Sequence, residues 1–350
     1  MTSLTRAVMT TLVMATAITI ISAEATLAIY FIDVEGGQST LIVTPAGESL
    51  LIDAGFPGDG TFASAPGDPS KARDAQRILA AARDAGVEQI DYLLLTHFHA
   101  DHDGGVTELA ALMPIKTFID HGEPGPGAAA AVTGTQEMYD KYLVARARGK
   151  HLEPKPGDTL PLKGIEAVIV ASLGAVLSKP LPGAGQPNAS CNGGVAASEK
   201  TENPRSTAVR LQYGAFRFLD VGDLSGTPLF ALACPVNLIG ESDVYLVAHH
   251  GGADAADQSF FKAVNPRVAI VNNGQTKGAQ KETLATIAAL KSIDGWQLHR
   301  TLNEDAQNVP EARIANLDNT TNAWIKISAK NDGSFTVTNG RTSVSKTYLR

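Results

Sequence analysis

One short stretch limits the architectures open to this chain more than any other: Leu93-Leu94-Leu95-Thr96-His97-Phe98-His99-Ala100-Asp101-His102-Asp103-Gly104-Gly105. Residues 92–96 form an apolar run of strand length and strand composition. The residues after it alternate, so His97 and His99 leave the backbone on one side, which suits two imidazoles binding one ion. Asp101 and His102 are adjacent, point in different directions and can reach a second ion close by. Three imidazoles and a carboxylate suit Zn²⁺, with Mn²⁺ or Fe²⁺ also compatible. Gly104-Gly105 lets the chain turn sharply away. The fold must therefore hold a buried strand whose exit opens onto a metal site.

Around that segment, short apolar runs alternate with helical patterns. Strands are expected at residues 27–34, 39–43, 49–53, 117–120, 166–171, 208–213, 216–221, 244–248 and 268–271. A helix capped by Ser70 is expected to run to Ala85, with further helices over 135–148 and 281–292. Residues 324–328 and 334–338 read as a hairpin across Asn331-Asp332-Gly333. Residues 174–205, rich in Gly, Pro, Ala, Ser and Asn, read as a long surface loop joining halves 27–173 and 206–350. Strands and helices interleaved in this way give an α/β or α+β class, with mixed sheets covered by helices, in one domain over residues 26–350.

Composition bounds the partners. A chain that is 44% hydrophobic and 19% charged can bury a substantial core. Its formal charge of −7 disfavours a long nucleic-acid-binding face, which needs Lys and Arg to displace counterions, so a small-molecule substrate is expected. No protein partner is evident. Residues 1–25 read as a signal peptide: Arg6 is the positive start, residues 7–21 the apolar run, and Ala23-Glu24-Ala25 the cleavage pattern. The apolar run is shorter than the ~20 residues a bilayer span needs. Cleavage after Ala25 would leave a periplasmic or secreted protein without stable membrane insertion. In an oxidising compartment Cys191 and Cys234 can pair, although two cysteines alone leave the disulfide open. Neither is given a catalytic role.

The run from Thr96 to His102 matches the HxHxDH signature of the metallo-β-lactamase superfamily, and the resemblance extends over nearly the whole chain after residue 25. It implies a four-layer αβ/βα sandwich of two mixed β-sheets flanked by helices. Leu50-Leu51-Ile52-Asp53-Ala54-Gly55 is similar to the first motif, which implies that Asp53 supports the metal ligands from behind. Phe218-Leu219-Asp220-Val221-Gly222-Asp223 resembles the motif whose last Asp bridges both ions, a role that passes to Asp223. Val247-Ala248-His249-His250-Gly251-Gly252 resembles the late motif that gives a last His to the second ion. If the strand over 244–248 keeps alternating, the two rings face opposite ways. Spacing does not choose between them; His249 is the expected ligand, and His250 the group that supports the ligands from behind or faces substrate.

The branch most similar is the extracytoplasmic hydrolase-like domain of the DNA-uptake channel protein ComEC and its free-standing relatives, among which phosphodiesterases and nucleases are common. Phe31-Ile32-Asp33-Val34, the run Arg210-Leu211-Gln212-Tyr213-Gly214-Ala215-Phe216-Arg217-Phe218-Leu219 and the late His-His-Gly carry that similarity. Like that branch, and unlike β-lactamases and many lactonases, the chain has no His after the strand over 166–171, where Ser172-Leu173-Gly174 stand. It departs from the branch in two places. Glu35-Gly36-Gly37-Gln38 stands for the usual Gly-Gln-Gly-Asp, and Asn272-Asn273-Gly274 with Lys277-Gly278-Ala279 stands where Gly-His-Pro is common.

The resemblance thus implies two divalent ions, Zn²⁺ before Mn²⁺ or Fe²⁺, sharing Asp223 and activating a water directly; no Ser or Cys nucleophile signature competes. Asp101 and His250 are the expected catalytic residues, His250 as proton donor to the leaving group. His121 and Asn203 are candidates for substrate contact, while His151 and His299 read as structural or solvated. The function expected is an exported metal-dependent hydrolase of a phosphoester or phosphodiester. A lactone or β-lactam hydrolase is the alternative, and a metal-dependent binding protein a third reading. Diiron redox relatives carry Glu where His99 stands, which argues against redox chemistry.

Overall fold

The computed structural model describes residues 25–58, 68, 71–191 and 199–350. All but the last residue of the expected signal peptide falls outside them, as does Ser70, the expected helix cap. Among the described residues the first strands are β1 (Leu27–Phe31), β2 (Thr40–Val43), β3 (Ser49–Ile52), β4 (Ile90–Leu94), β5 (Ile115–Ile119) and β6 (Lys150–Leu152). Next come β7 (Glu166–Ser172), β8 (Ala175–Val176), β9 (Ala208–Tyr213), β10 (Phe216–Asp220), β11 (Val244–Leu246), β12 (Val268–Val271), β13 (Asp294–His299) and β14 (Ile314–Asn316). The chain closes with β15 (Ile325–Ala329), β16 (Phe335–Asn339) and β17 (Ser345–Tyr348). One sheet has the order β17-β16-β15-β1-β2-β3-β4-β5-β6 and the other β14-β13-β12-β11-β10-β9-β7-β8. Both are mixed: β2 pairs antiparallel with β3 and β3 parallel with β4, while β9 pairs antiparallel with β10 and β10 parallel with β11.

The sheets stack because each is apolar on both faces. Along β1, Leu27, Ile29 and Phe31 enter the layer between the sheets, and Ala28 and Tyr30 face the other way. That middle layer packs Leu50, Ile52 and Leu94 with Ile169, Leu211, Phe218, Leu246, Ile270 and Trp296. Helices α1 (Arg73–Asp84) and α2 (Val106–Leu112) cover the outer face of the first sheet with Ile78, Ala82, Val106 and Leu109. There α3 (Pro126–Ala131) packs on α4 (Thr135–Arg146), whose Tyr139 and Tyr142 join the same layer. On the second sheet, α5 (Gly226–Ala233), α6 (Gln258–Val264) and α7 (Lys281–Ala289) supply Leu229, Leu232, Phe260, Phe261, Leu284 and Ile287. The result is the four-layer sandwich with two mixed sheets inside. Among the described residues no helix is long and apolar enough to cross a membrane.

One expectation changes, and each sheet draws strands from both sequence halves. Strand β7 pairs with β9 in the second sheet, and β15 returns to pair with β1 in the first. The pattern of each strand is satisfied in either place, because both sheets bury both faces. Residues 174–205 are less bare than the expected surface loop: β8 extends the second sheet, Leu177 and Leu181 are buried, and a disulfide joins Cys191 to Cys234. The bridge spans 43 residues and anchors this segment to the end of α5. Replacing both cysteines by Ser should therefore destabilise the fold by about 2–4 kcal/mol, the usual effect of opening a loop of this order. Urea unfolding of the double variant, compared with the wild type, measures it.

Candidate metal centre

Strand β4 delivers its ligands at the mouth between the sheets. Asp53 follows its neighbour β3 directly, and three donors converge on its buried carboxylate. The Thr96 N–H donates to Oδ1 at 2.8 Å, the Thr96 hydroxyl to Oδ2 at 2.7 Å, and His102 Nδ1–H to Oδ2 at 2.7 Å. Since the Thr96 hydroxyl proton is used on Asp53, its oxygen accepts from His97 Nδ1–H at 3.0 Å. One carboxylate thus sets the tautomer of two imidazoles and leaves both Nε2 lone pairs facing the site. Asp53 carries out the supporting task implied for it by resemblance.

The second sheet supplies the other side. Asp223 lies in the turn after β10, and Gly222 there has φ +54°; a Cβ on it would come 2.7 Å from Thr96 Cβ. Only glycine lets this turn press onto the β4 exit. His102 Nε2 lies 3.2 Å from Asp101 Oδ2 and 3.3 Å from Asp223 Oδ2. His250 Nε2 lies 3.1 and 3.3 Å from the same two oxygens and 3.2 Å from His102 Nε2. Edges of that length belong to a tetrahedron whose centre is about 2.0 Å from every corner, the length of zinc–nitrogen and zinc–oxygen bonds. Asp101, His102, Asp223 and His250 therefore fit a divalent ion.

His97 and His99 lie alongside, with His97 Nε2 3.0 Å from His99 Nδ1 and 4.0 Å from Asp223 Oδ2. Two buried atoms here, His99 Nε2 and Asp223 Oδ1, have no hydrogen-bonding partner among the described residues. Asp223 sits between the two groups, where a bridging carboxylate belongs.

The late histidines differ from the expectation. Strand β11 ends at Leu246, and both His249 (φ 49°) and His250 (φ 54°) adopt left-handed conformations in a tight turn. Alternation no longer governs them, so it cannot choose between the rings. His250 is buried and enters the four-atom cluster. His249 is 31% exposed, lies 3.7 Å from Asp223 Oδ2 through Nε2, and holds Asp254 through Nδ1 at 2.9 Å. Left-handed backbone at a non-glycine residue costs of order 1–3 kcal/mol. Two in succession mark a turn that the surrounding contacts impose.

Electrostatics follow from this packing. Burial pushes the Asp223 carboxyl up, but His250, His102 and His249 outweigh it and hold the group well below the usual range. Burial acts likewise on Asp101, where Lys277 and His102 prevail and lower it. His97 is driven down by burial and by its neighbours His102 and His99. His102 goes the other way, because Asp223, Asp101 and Asp53 overcome its burial. Such a site favours positive charge at its centre.

The remaining candidates divide. The His121 side chain is fully buried, its Nε2 is 3.0 Å from Glu202 Oε2, and its ring packs edge-on against Phe98. Asn203 lies beside His249, with Nδ2 3.5 Å from its Nε2 and donating to Glu199 Oε1 at 2.8 Å. His299 is a buried partner of Asp33 at 2.7 Å. His151 shares Asp120 with Arg146 and the Tyr142 hydroxyl, a hydrogen-bond network that already occupies that carboxylate. Three groups were missed in the sequence. Lys277 Nζ touches Asp101 Oδ2, Asp254 orients His249, and Gln38 Nε2 donates to both oxygens of buried Asp220 at 3.1 and 3.2 Å. Burial first, against the Gly222 N–H, leaves Asp220 pushed up to about 7. Only Asp254, a carboxylate five residues after a candidate ligand, left a readable trace.

These elements define the class. The metallo-β-lactamase superfamily model matches residues 32–271, and the chain belongs to that superfamily. Members of that superfamily are metal-dependent, and Asp101, His102, Asp223 and His250 form a group here that could hold an ion. The hydroxyacylglutathione hydrolase of Albidiferax ferrireducens is 38% identical over 65 residues, 19% of this chain. The matched stretch spans only 25% of that relative's length. Among solved structures, the metallo-β-lactamase-fold protein YhfI from Bacillus subtilis is similar over 78% of this chain and 95% of its own, at 12% identity and a TM-score of 0.45. A diphosphatase of the PhnP family is similar over 80% and 96%, at 12% identity and a TM-score of 0.41. The diiron β-hydroxylase CmlA from Streptomyces venezuelae is similar over 78% and 48%, at 17% identity and a TM-score of 0.41.

Asp53→Asn should keep the fold but release the His97 and His102 tautomers, weakening metal binding about 10–100-fold. Competition with a chelator of known affinity reads this directly.

Proposed function

We propose that the chain is an exported hydrolase that uses two Zn²⁺ ions to cleave a small anionic phosphoester or phosphodiester. Lys277 carries this reading. Its ammonium contacts Asp101 Oδ2, lies 5.4 Å from the centre of the Phe56 ring and stays 41% exposed, between the ligand cluster and solvent. A cation so placed meets an anionic oxygen of an approaching substrate. The Ser172-Leu173-Gly174 turn, with no third-motif His, supports the ComEC-like branch over β-lactamases. The net charge of −7 favours a small substrate over a nucleic-acid polymer. The Cys191–Cys234 bridge supports export, since disulfides persist in oxidising compartments.

Asp101, His102, Asp223 and His250 would hold one ion, and His97, His99 and the shared Asp223 the other. Bound there, the ions supply a water of lowered pKa and polarise the scissile phosphoryl group. The chain's own residues do the rest. Asp53 and Thr96 hold two imidazoles in the binding tautomer, and Lys277 orients the substrate and offsets the charge that grows on its oxygens.

His97→Ala or Asp223→Ala should abolish turnover and metal occupancy together. Lys277→Ala should lower kcat/KM for bis-p-nitrophenyl phosphate about 10–100-fold, the effect of losing one charge-assisted hydrogen bond. Steady-state kinetics with that diester, a lactone and a β-lactam tests the reading. Preference for the lactone or β-lactam, or a Lys277→Ala variant as fast as wild type on the diester, would overturn it.

A further inference from the structure

The first site lacks the third-motif histidine. Where the superfamily's third motif would place a histidine, β7 ends at Ser172, whose hydroxyl is buried 3.5 Å from that of Thr207, and Leu173 turns outward. That leaves His97, His99 and the shared Asp223, one protein donor fewer than a third-motif histidine would give, with room for a further ligand beside the water, since such ions can expand to five-coordinate.

We propose that His249 fills this place, so that the adjacent imidazoles of one turn bind different ions: His250 the second and His249 the first. Neighbouring residues of a strand send their side chains to opposite faces. Here consecutive left-handed residues, at φ 49° and 54°, instead aim both Nε2 atoms at one oxygen, Asp223 Oδ2, from 3.7 and 3.3 Å. The His249 N–H donates to Gly222 O at 3.1 Å, which ties this turn to the one that carries Asp223.

The ring is also prepared for a ligand's task. Asp254 accepts from Nδ1–H at 2.9 and 3.1 Å, leaving the Nε2 lone pair free, an arrangement of carboxylate, imidazole and metal that recurs around bound zinc. Asn203 is the neighbour that could compete. Its Nδ2 stands 3.5 Å from the same Nε2, and its buried Oδ1 has no partner among the described residues, but a neutral amide is the poorer donor to a zinc-like ion. Because His249 is 31% exposed, the first ion would face solvent, where water and substrate arrive.

This assignment rests on the two-ion reading above, and metal counting separates the two. Wild-type protein, His249→Ala, His250→Ala and Asp254→Asn are stripped with chelator, reloaded with Zn²⁺, dialysed and analysed for zinc per chain. Parallel Co²⁺ titrations follow the visible absorption of each ion's coordination. Wild type should retain two ions and His249→Ala one, with its remaining Co²⁺ spectrum that of the second site. His250→Ala should lose the other ion. Asp254→Asn should keep both sites but bind the first ion about 10–100-fold more weakly. Two ions held by His249→Ala with wild-type affinity and spectrum would overturn the assignment while leaving the two-ion reading intact. A single ion in wild type would overturn that reading and this assignment with it. Far-ultraviolet circular dichroism checks folding, and if His249→Ala fails to fold, an unchanged first-site affinity in Asp254→Asn is the overturning result.

Discussion

Everything in the site is arranged around one oxygen. Asp223 Oδ2 has the Nε2 atoms of His102, His250, His249 and His97 at 3.3, 3.3, 3.7 and 4.0 Å. A carboxylate taken this far from water is costly unless positive charge surrounds it. Four nitrogens from two turns surround it and could share a cation with it, and they come from opposite sheets. The His97–His102 segment leaves the first sheet, while Asp223 and the late pair leave the second. The centre is assembled only when the sheets stack, so the apolar layer from Phe31 to Trp296 and the ligand geometry depend on each other.

Support for that oxygen extends inward in steps. Asp53 and Thr96 hold His97 and His102, and Gln38 holds Asp220, whose Oδ1 accepts from the Gly222 N–H at 3.0 Å just ahead of Asp223. Gln38 also accepts from Asn272 Nδ2 at 3.3 Å through Oε1, and its own N–H donates to Asp101 O at 3.0 Å. Gly37 permits this contact, since a Cβ there would lie 2.4 Å from Asp101 O. The unusual opening Glu35-Gly36-Gly37-Gln38 therefore braces the metal turns from behind.

Much of this was legible in the chain. The strand exit at Thr96 and the cluster from His97 to His102 follow from local periodicity, and the attention to Asp223 follows from the family resemblance. What stayed hidden depends on contacts distant in sequence. Lys277 meets Asp101 across 176 residues, and His121 is buried against Glu202, which no local pattern discloses. The facing of His249 and His250 was hidden for a different reason: strand alternation stops at Leu246, and a pair of left-handed residues follows. Sheet membership was not legible, because strands buried on both faces look alike wherever they pair.

The return of β15 to β1 has a bearing on how such a chain is made. Leu27–Phe31 leaves the ribosome well before Ile325–Ala329, the strand that seals one of its two edges. Until then that apolar ribbon exposes unpaired amides to any extended neighbour, the condition under which nascent proteins stick together. Late synthesis, rather than early collapse, decides when the first sheet stops being a liability.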